Sequence, residues 1–251
     1  MQRILLLGGT SEAGALAAAL AARGDAAVYS YAGRTGTPKA QPLPTRIGGF
    51  GGVQGLIAYL RQEAITHVID ATHPFAATMS ANAVAACAVA GVALGAFERP
   101  PWCAQPRDRW MHVPDVAAAC RGLPDRPARI FLAIGRQHLA AFSVRSEHVY
   151  LLRLVDPPDE KLPLPHTHVV VARGPFTCEA DMDLLRAHRI ELVVTRNAGG
   201  KGAWSKLAAA RALGLPVIMI DRPDLPPRPT WATVREVLDW LDHDSPADLG
   251  E

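Results

Sequence analysis

Strands alternating with helices predict a parallel, doubly wound α/β architecture. Three observations carry it. A helix, a glycine and a short apolar strand recur in ALAAALAARG–AAVYSY, ANAVAACAVAG–VALGAF and KLAAARALG–LPVIMI. Each such strand is apolar on both faces, as a strand covered by helices on both sides must be. The glycine, arginine and small polar residues gather directly behind the strands, where open parallel sheets bind their ligands.

In chain order, RILLL leads to GGTSEAG and an alanine-rich helix that Gly24 stops with a left-handed cap. AAVYSY leads to AGRTG, TRI to GGFGG and HVIDA to THPFA; a helix, Gly91 and VALGAF follow. ERPPWCAQPRDRW carries Pro100, Pro101 and Pro106, which forbid regular structure, so a domain boundary is expected near residue 112. Beyond it RIFLAI leads to GRQ, and HVYLLRLV to VDPPDEKLPLPH, a stiff surface loop. HVVVA leads to RGPF, ELVVT to RNAGGKG and PVIMI to DRP. So many strands suit two sheets better than one. The expectation is two Rossmann-like doubly wound parallel-sheet domains, 1–112 and 113–251, with a ligand cleft between them.

Composition narrows the function. The chain of 251 residues is 49% hydrophobic and 20% charged, so it can bury a core and is not a disordered chain. A net charge of +2 is too small and scattered for nucleic acid. Cys87, Cys103, Cys120 and Cys178 have no metal-like spacing, and the nine histidines form no H-E-x-x-H, so no metal is expected. With no signal peptide ahead of them, the cysteines suit a cytoplasmic protein. The stretch from Pro74 to Phe97 has no charge, but Ser80, Asn82 and Gly91 interrupt it. It reads as a buried helix and strand, with no membrane span.

The first loop departs from the G-x-G-x-x-G fingerprint of dinucleotide sites, because those places hold Gly8, Thr10 and Ala13. Gly8 and Gly9 still let backbone approach a pyrophosphate, and Thr10 and Ser11 offer hydroxyls and amides at a helix start. A strand-to-helix turn capped by Thr10 or Ser11 is the plain alternative. After the second strand stands Arg34, with no carboxylate. An arginine there suits the 2′-phosphate of NADP(H), and the missing acid argues against NAD(H) and S-adenosylmethionine. Thr72, His73 and Pro74 follow another strand and would line the nicotinamide pocket; His73 is also a candidate proton donor. Arg136, Arg173, Arg196, Asn197 and Lys201 occupy strand-end loops of the second domain and would meet a ligand with several carboxylates.

Taken in order, GGTSEA, GRTG, GGFGG, DATHPFA, ERPPW, IGRQ, RGPF and GLPVIMIDRP resemble the precorrin-6A reductases of cobalamin biosynthesis, from Arg3 to about Trp240. The resemblance implies an NADPH-dependent enzyme that reduces one double bond of a corrin precursor, giving precorrin-6B. Its substrate is a polycarboxylate tetrapyrrole, and its other partners would be transient contacts with neighbouring pathway enzymes. The clearest departure is TRNAGGKG, where the family pattern has lysine and serine at the places of Arg196 and Ala198. The charge is kept and the hydroxyl is not. The alternatives are a cobalt-precorrin-6A reductase and a non-catalytic NADP-sensing module. A short-chain dehydrogenase would need Tyr-x-x-x-Lys, and none of Tyr29, Tyr31, Tyr59 or Tyr150 has a lysine four residues later, which argues against that class.

Overall fold

The computed structural model describes residues 2–33, 39–158 and 160–244. The chain forms two units, one of residues 1–100 and 224–251, the other of residues 101–223. The expected boundary near residue 112 is thereby corrected to the Pro100–Pro101 pair. The assignment of everything after it to the second domain is corrected as well, because the chain returns to the first unit from Asp224. The return has a plain cause: helix α7 (Val234–His243) is amphipathic, and its buried Val237 and Leu241 join the core built by Leu16, Leu20 and Tyr29.

The first unit carries a six-stranded sheet in the order β12-β5-β4-β1-β2-β3. Its strands are β1 (Ile4–Leu7), β2 (Ala27–Tyr31), β3 (Thr45–Ile47), β4 (His67–Asp70), β5 (Ala93–Phe97) and β12 (Thr230–Trp231). All pair in parallel. β1 and β4 are buried at every residue, as central strands between helical layers must be. Helix α1 (Ser11–Arg23) buries Ala13, Leu16, Ala17 and Leu20 on one face and ends at Gly24, left-handed at φ 76. Helices α2 (Gly52–Gln62) and α3 (Ala77–Ala90) cover the opposite layer, around Leu56, Leu60, Ala83 and Cys87.

The second unit repeats the plan. Its strands are β6 (Arg109–Val113), β7 (Arg129–Ala133), β8 (Val149–Leu154), β9 (Thr167–Val171), β10 (Leu192–Arg196) and β11 (Pro216–Ile220), all parallel, in the order β6-β11-β10-β7-β8-β9. Helices α4 (Val116–Arg121), α5 (Cys178–Ala187) and α6 (Ser205–Ala212) and a 3-10 helix (Arg136–Phe142) connect them. The first sheet therefore follows the doubly wound order 3-2-1-4-5-6. The second keeps the same winding through β9-β8-β7-β10-β11 but fills the sixth place with β6, the first of its strands in the chain. The direction of winding reverses between β1 and β4 and between β7 and β10. Each sixth strand comes from outside the run of the other five: β12 from the returning segment, β6 from the segment just past the boundary. These two strands are the ones the sequence pattern does not reveal.

His148 shows how tightly the second core is closed. It is 0% exposed, and its Nδ1 accepts the Ala128 amide at 3.2 Å. Burial holds its pKa below the ordinary 6.5, although Glu147 pulls the other way. The folded chain therefore binds this proton less readily than the unfolded chain does. Its contribution to stability is present above pH 6.5 and lost as the pH falls below it. The melting temperature is expected to drop between pH 7 and pH 5, and His148→Gln should flatten that drop in a calorimetric series.

Candidate functional site

In an open parallel sheet, ligands bind outside the carboxyl ends of the strands, at the point where the winding reverses. In the first unit that point holds a recess lined by Thr10, Glu12, Thr72, Pro74, Phe97, Glu98 and Arg99. Phe97 ends β5, and the others follow β1, β4 and β5.

The glycine loop is shaped from below by Tyr29 of β2, which is 1% exposed. A Cβ on Gly8 would lie 2.1 Å from the Tyr29 ring, so only glycine passes over it. The Gly8 amide donates to the Ser30 carbonyl at 2.9 Å, and the Gly9 amide to the Tyr29 hydroxyl at 2.9 Å. Burial pushes that phenol up to about 12, so it stays protonated. Gly9 has φ 117 with open space where a side chain would stand. The loop thus offers bare backbone to a ligand, but its two glycine amides face inward. The donor left for an anion is at the very start of α1, where the Ser11 amide precedes the Ala13 amide that Thr10 takes.

Thr10 caps α1. Its hydroxyl oxygen accepts from the Ala13 amide at 3.1 Å and donates to the Ala71 carbonyl at 2.8 Å, tying the glycine loop to the end of β4. Ser11 donates to Glu12 at 3.0 Å, and Arg99 donates to the same carboxylate oxygen at 2.8 Å. Burial raises the Glu12 pKa, but its own amide, Arg99 and Ser11 together hold it below the usual carboxylate range.

Asp70 closes β4 and is 3% exposed. One of its oxygens takes the Thr72 amide at 3.1 Å and the Thr72 hydroxyl at 2.7 Å, a turn that sets the THPFA loop. The other lies 3.4 Å from Arg228, which the returning segment inserts into the unit. His73 accepts the Phe75 amide at Nδ1, 3.2 Å away. That bond fixes the tautomer with the proton on Nε2, which makes His73 a hydrogen-bond donor at that atom.

Arg34 lies outside the described residues. At the carboxyl end of β2, residues 30–33 hold no carboxylate. On neighbouring β3, Arg46 donates to Ser30, Gly48 and Gly49 at 2.8, 2.9 and 3.1 Å and stacks 3.8 Å over Phe50. It holds the GGFGG turn in shape.

The cationic loops of the second unit are only partly brought together. Arg136 donates to the carbonyls of Asp156 and Pro157 at 2.7 and 2.8 Å, and Arg173 pairs with the Asp156 carboxylate at 2.6 Å. Arg196 reaches over Gly135, its Nη2 3.7 Å from where a Cβ there would sit. Lys201 is exposed in the loop after β10. Asn197 turns inward: its oxygen accepts the Trp102 amide at 2.7 Å and its nitrogen donates to the Trp102 carbonyl at 3.0 Å.

Beneath these loops lies a buried polar cluster that sequence reasoning did not find. Asp181 of α5 is 1% exposed and is held by Arg153 of β8 and by the Ser205 hydroxyl at 2.6 Å. Lys206 stands beside them, 5% exposed. In SKLAAARALG that lysine looks like any solvated residue of an amphipathic helix. Its one distinguishing signal is its place, one residue into a helix that starts at a strand-end loop. Among the described residues, no group of three His, Cys, Asp or Glu side chains could hold a metal ion. No described helix is long and apolar enough to cross a membrane.

Comparison with known proteins assigns this arrangement to a family. A model of the precorrin-6x reductases CbiJ/CobK matches residues 3–242. The chain belongs to the precorrin-6x reductase family. The precorrin-6A reductase of Rhodobacter capsulatus is 65% identical over 244 residues, 97% of either chain. That of a Sinorhizobium species is 46% identical over 243 residues, 96% of this chain and 93% of the relative. A solved structure of CobK precorrin-6A reductase superposes with a TM-score of 0.92 at 65% identity, covering 98% of both chains. Membership in the precorrin-6x reductase family makes the chain an oxidoreductase of cobalamin biosynthesis, and a reductase requires a reductant cofactor.

Proposed function

We propose that the chain reduces one carbon–carbon double bond of metal-free precorrin-6A to give precorrin-6B, with NADPH as reductant. The observation that carries this reading is the bare glycine loop over Tyr29 at the winding reversal of the first sheet, in a chain whose named relatives are precorrin-6A reductases. The residues fit a dinucleotide: open space above Gly9 admits a pyrophosphate, and α1 presents its first amides there. NADPH supplies the hydride when bound.

The chain's own residues hold, orient and exclude water. Gly8 and Gly9 give the phosphates room to approach, and Thr10 and Ser11 take them through backbone at the start of α1 rather than through the Thr10 hydroxyl, which is already committed at both of its roles. Thr72, His73 and Pro74 form the wall nearest the reacting ring, and His73 donates a hydrogen bond from Nε2. Arg34 takes the 2′-phosphate with its paired donors. Arg136, Arg173, Arg196 and Lys201 meet the substrate's carboxylates, while Asn197 supports them by holding Trp102. Arg173, exposed and loosely paired with Asp156, can change partner at little cost. The four cysteines are free thiols, in keeping with a cytoplasmic enzyme.

Anaerobic incubation with precorrin-6A and either NADPH or NADH, followed by absorbance and mass, tests the reading. A gain of two hydrogens with NADPH and little with NADH is expected. Arg34→Ala should weaken NADPH binding roughly 10- to 100-fold, the worth of one or two charge-assisted hydrogen bonds, and barely touch NADH. Equal losses for both cofactors would remove Arg34 from the 2′-phosphate.

A further inference from the structure

Lys206, the second residue of α6, is a buried cation that the reaction just described leaves without a task. Its ammonium donates to the Ala203 carbonyl at 2.7 Å and lies 4.9 Å from the centre of the Trp102 ring. The charged groups facing it are Arg153 from β8, Asp181 from α5 and Arg196 from β10. The oxygens of Asp181 are already taken by Arg153 and Ser205, so among the described residues no carboxylate pairs with Lys206. A buried ammonium of this kind costs stability rather than adding it. Helix α6 makes matters worse, since the positive end of its dipole lies close by.

What Lys206 does hold is a loop. Residues 197–204 are tied down at four points. Asn197 grips the Trp102 backbone, the Trp102 indole N–H donates to the Gly200 carbonyl at 2.7 Å, Arg222 donates to the carbonyls of Asn197 and Ala198 at 3.1 and 3.3 Å, and Lys206 takes Ala203. Exposed Lys201 sits in the middle of that span. Trp102 joins two of the ties, and the Lys206 ammonium rests against its ring.

We propose that Lys206 is a positioning residue whose protonated side chain clamps the 197–204 loop so that Lys201 meets a carboxylate of the substrate. The proposal rests on the reading that these loops take the tetrapyrrole's carboxylates. The clamp needs the charge, because a neutral amine forgoes the charge-assisted bond to Ala203 and the attraction to the indole face. Burial first, then Arg153, draws the Lys206 pKa down to about 7, with Asp181 opposing and Arg196 adding to the fall. The loop is therefore clamped on the acid side of neutrality and loosened above it.

The test is steady-state kinetics of the full chain on precorrin-6A at saturating NADPH from pH 6 to pH 9, with NADPH binding and melting measured alongside. In the wild type the KM for precorrin-6A should rise as the pH passes about 7, with kcat steady. Lys206→Met should show, already at pH 6.5, a KM raised about tenfold and flat with pH, the worth of one charge-assisted hydrogen bond. Its NADPH affinity should be unchanged and its melting temperature at pH 6.5 no lower than that of the wild type, since an unpaired buried charge is gone. Trp102→Phe, which removes the Gly200 bond and keeps a smaller aromatic face under the ammonium, should raise KM and keep the pH dependence. A Lys206→Met enzyme with the wild-type KM profile, or one that melts earlier and loses kcat and KM together, overturns the clamp. Lys201→Ala separates the two levels: if it raises KM while Lys206→Met does not, the clamp alone fails. If Lys201→Ala leaves KM untouched, the assignment of carboxylates to this loop fails with it.

Discussion

Gly8→Ala should nearly abolish cofactor binding while leaving the chain folded. The added carbon would stand 2.1 Å from one Tyr29 ring carbon and 2.3 Å from the next and from the hydroxyl oxygen. Tyr29 has nowhere to go, because it is 1% exposed and packs against Tyr31 with ring centres 4.6 Å apart. The loop must therefore rise, and the Gly9 amide leaves the Tyr29 hydroxyl that positions it. Overpacking of this kind costs about 1–3 kcal/mol, which a domain of this size survives. Ligand alignment is less forgiving: a displacement of about 1 Å can cost roughly 100-fold. NADPH titration by fluorescence, paired with a thermal melt, reads both effects. Tyr29→Phe is the mild companion, since it removes one hydrogen bond and keeps the ring. If Gly8→Ala binds NADPH as the wild type does, the loop is not the phosphate cradle.

Arg228→Ala should cost the first unit a large share of its stability. Arg228 is the buried cation nearest to Asp70, at 3.4 Å, with Glu98 at 3.9 Å. Removing it strands the Asp70 carboxylate in the core, a loss of about 3–5 kcal/mol for a buried pair broken on one side. That corresponds to a fall in melting temperature on the order of 10 °C. Pairing the change with Asp70→Asn should recover part of the loss, because the stranded charge disappears. Calorimetry of the two variants decides it: an Arg228→Ala chain that melts within about 2 °C of the wild type means the pair does not anchor the returning segment.

Much of this molecule is legible in its residues. Buried strands such as ILLL and HVID declare themselves because both faces must be apolar, and the stopping glycines declare the helices between them. The loops that follow them are equally plain, and so the recess residues Thr10, Thr72 and Pro74 were within reach. What stayed hidden shares one physical cause: partners far apart in the chain. β12 is two residues long and finds its place only by pairing with Ala96 and Phe97. Arg228 looks like a charged residue in a proline-rich tail until Asp70, 158 positions earlier, faces it as a counter-charge. Lys206 and Asp181 follow ordinary helical spacing, and beyond the place of Lys206 at a helix start nothing local marks them as buried. Asn197 was legible as a strand-end polar residue, but not as one turned inward, because its partner Trp102 precedes it by 95 residues. Charge and spacing suggest a ligand; only the fold says which charges are already engaged.

The reciprocal sixth strands have a consequence for how the polypeptide matures on the ribosome. Domains ordinarily complete in the order in which they emerge. Here the unit that emerges first lacks the edge strand β12 and the packing helix α7 until residues 224–244 have been made. The second unit owns all six of its strands by residue 223. The later-born half can therefore complete its sheet first, while β5, two strands from the β1 that carries the glycine loop, stays an open edge that a neighbouring chain could capture before its own sequel arrives.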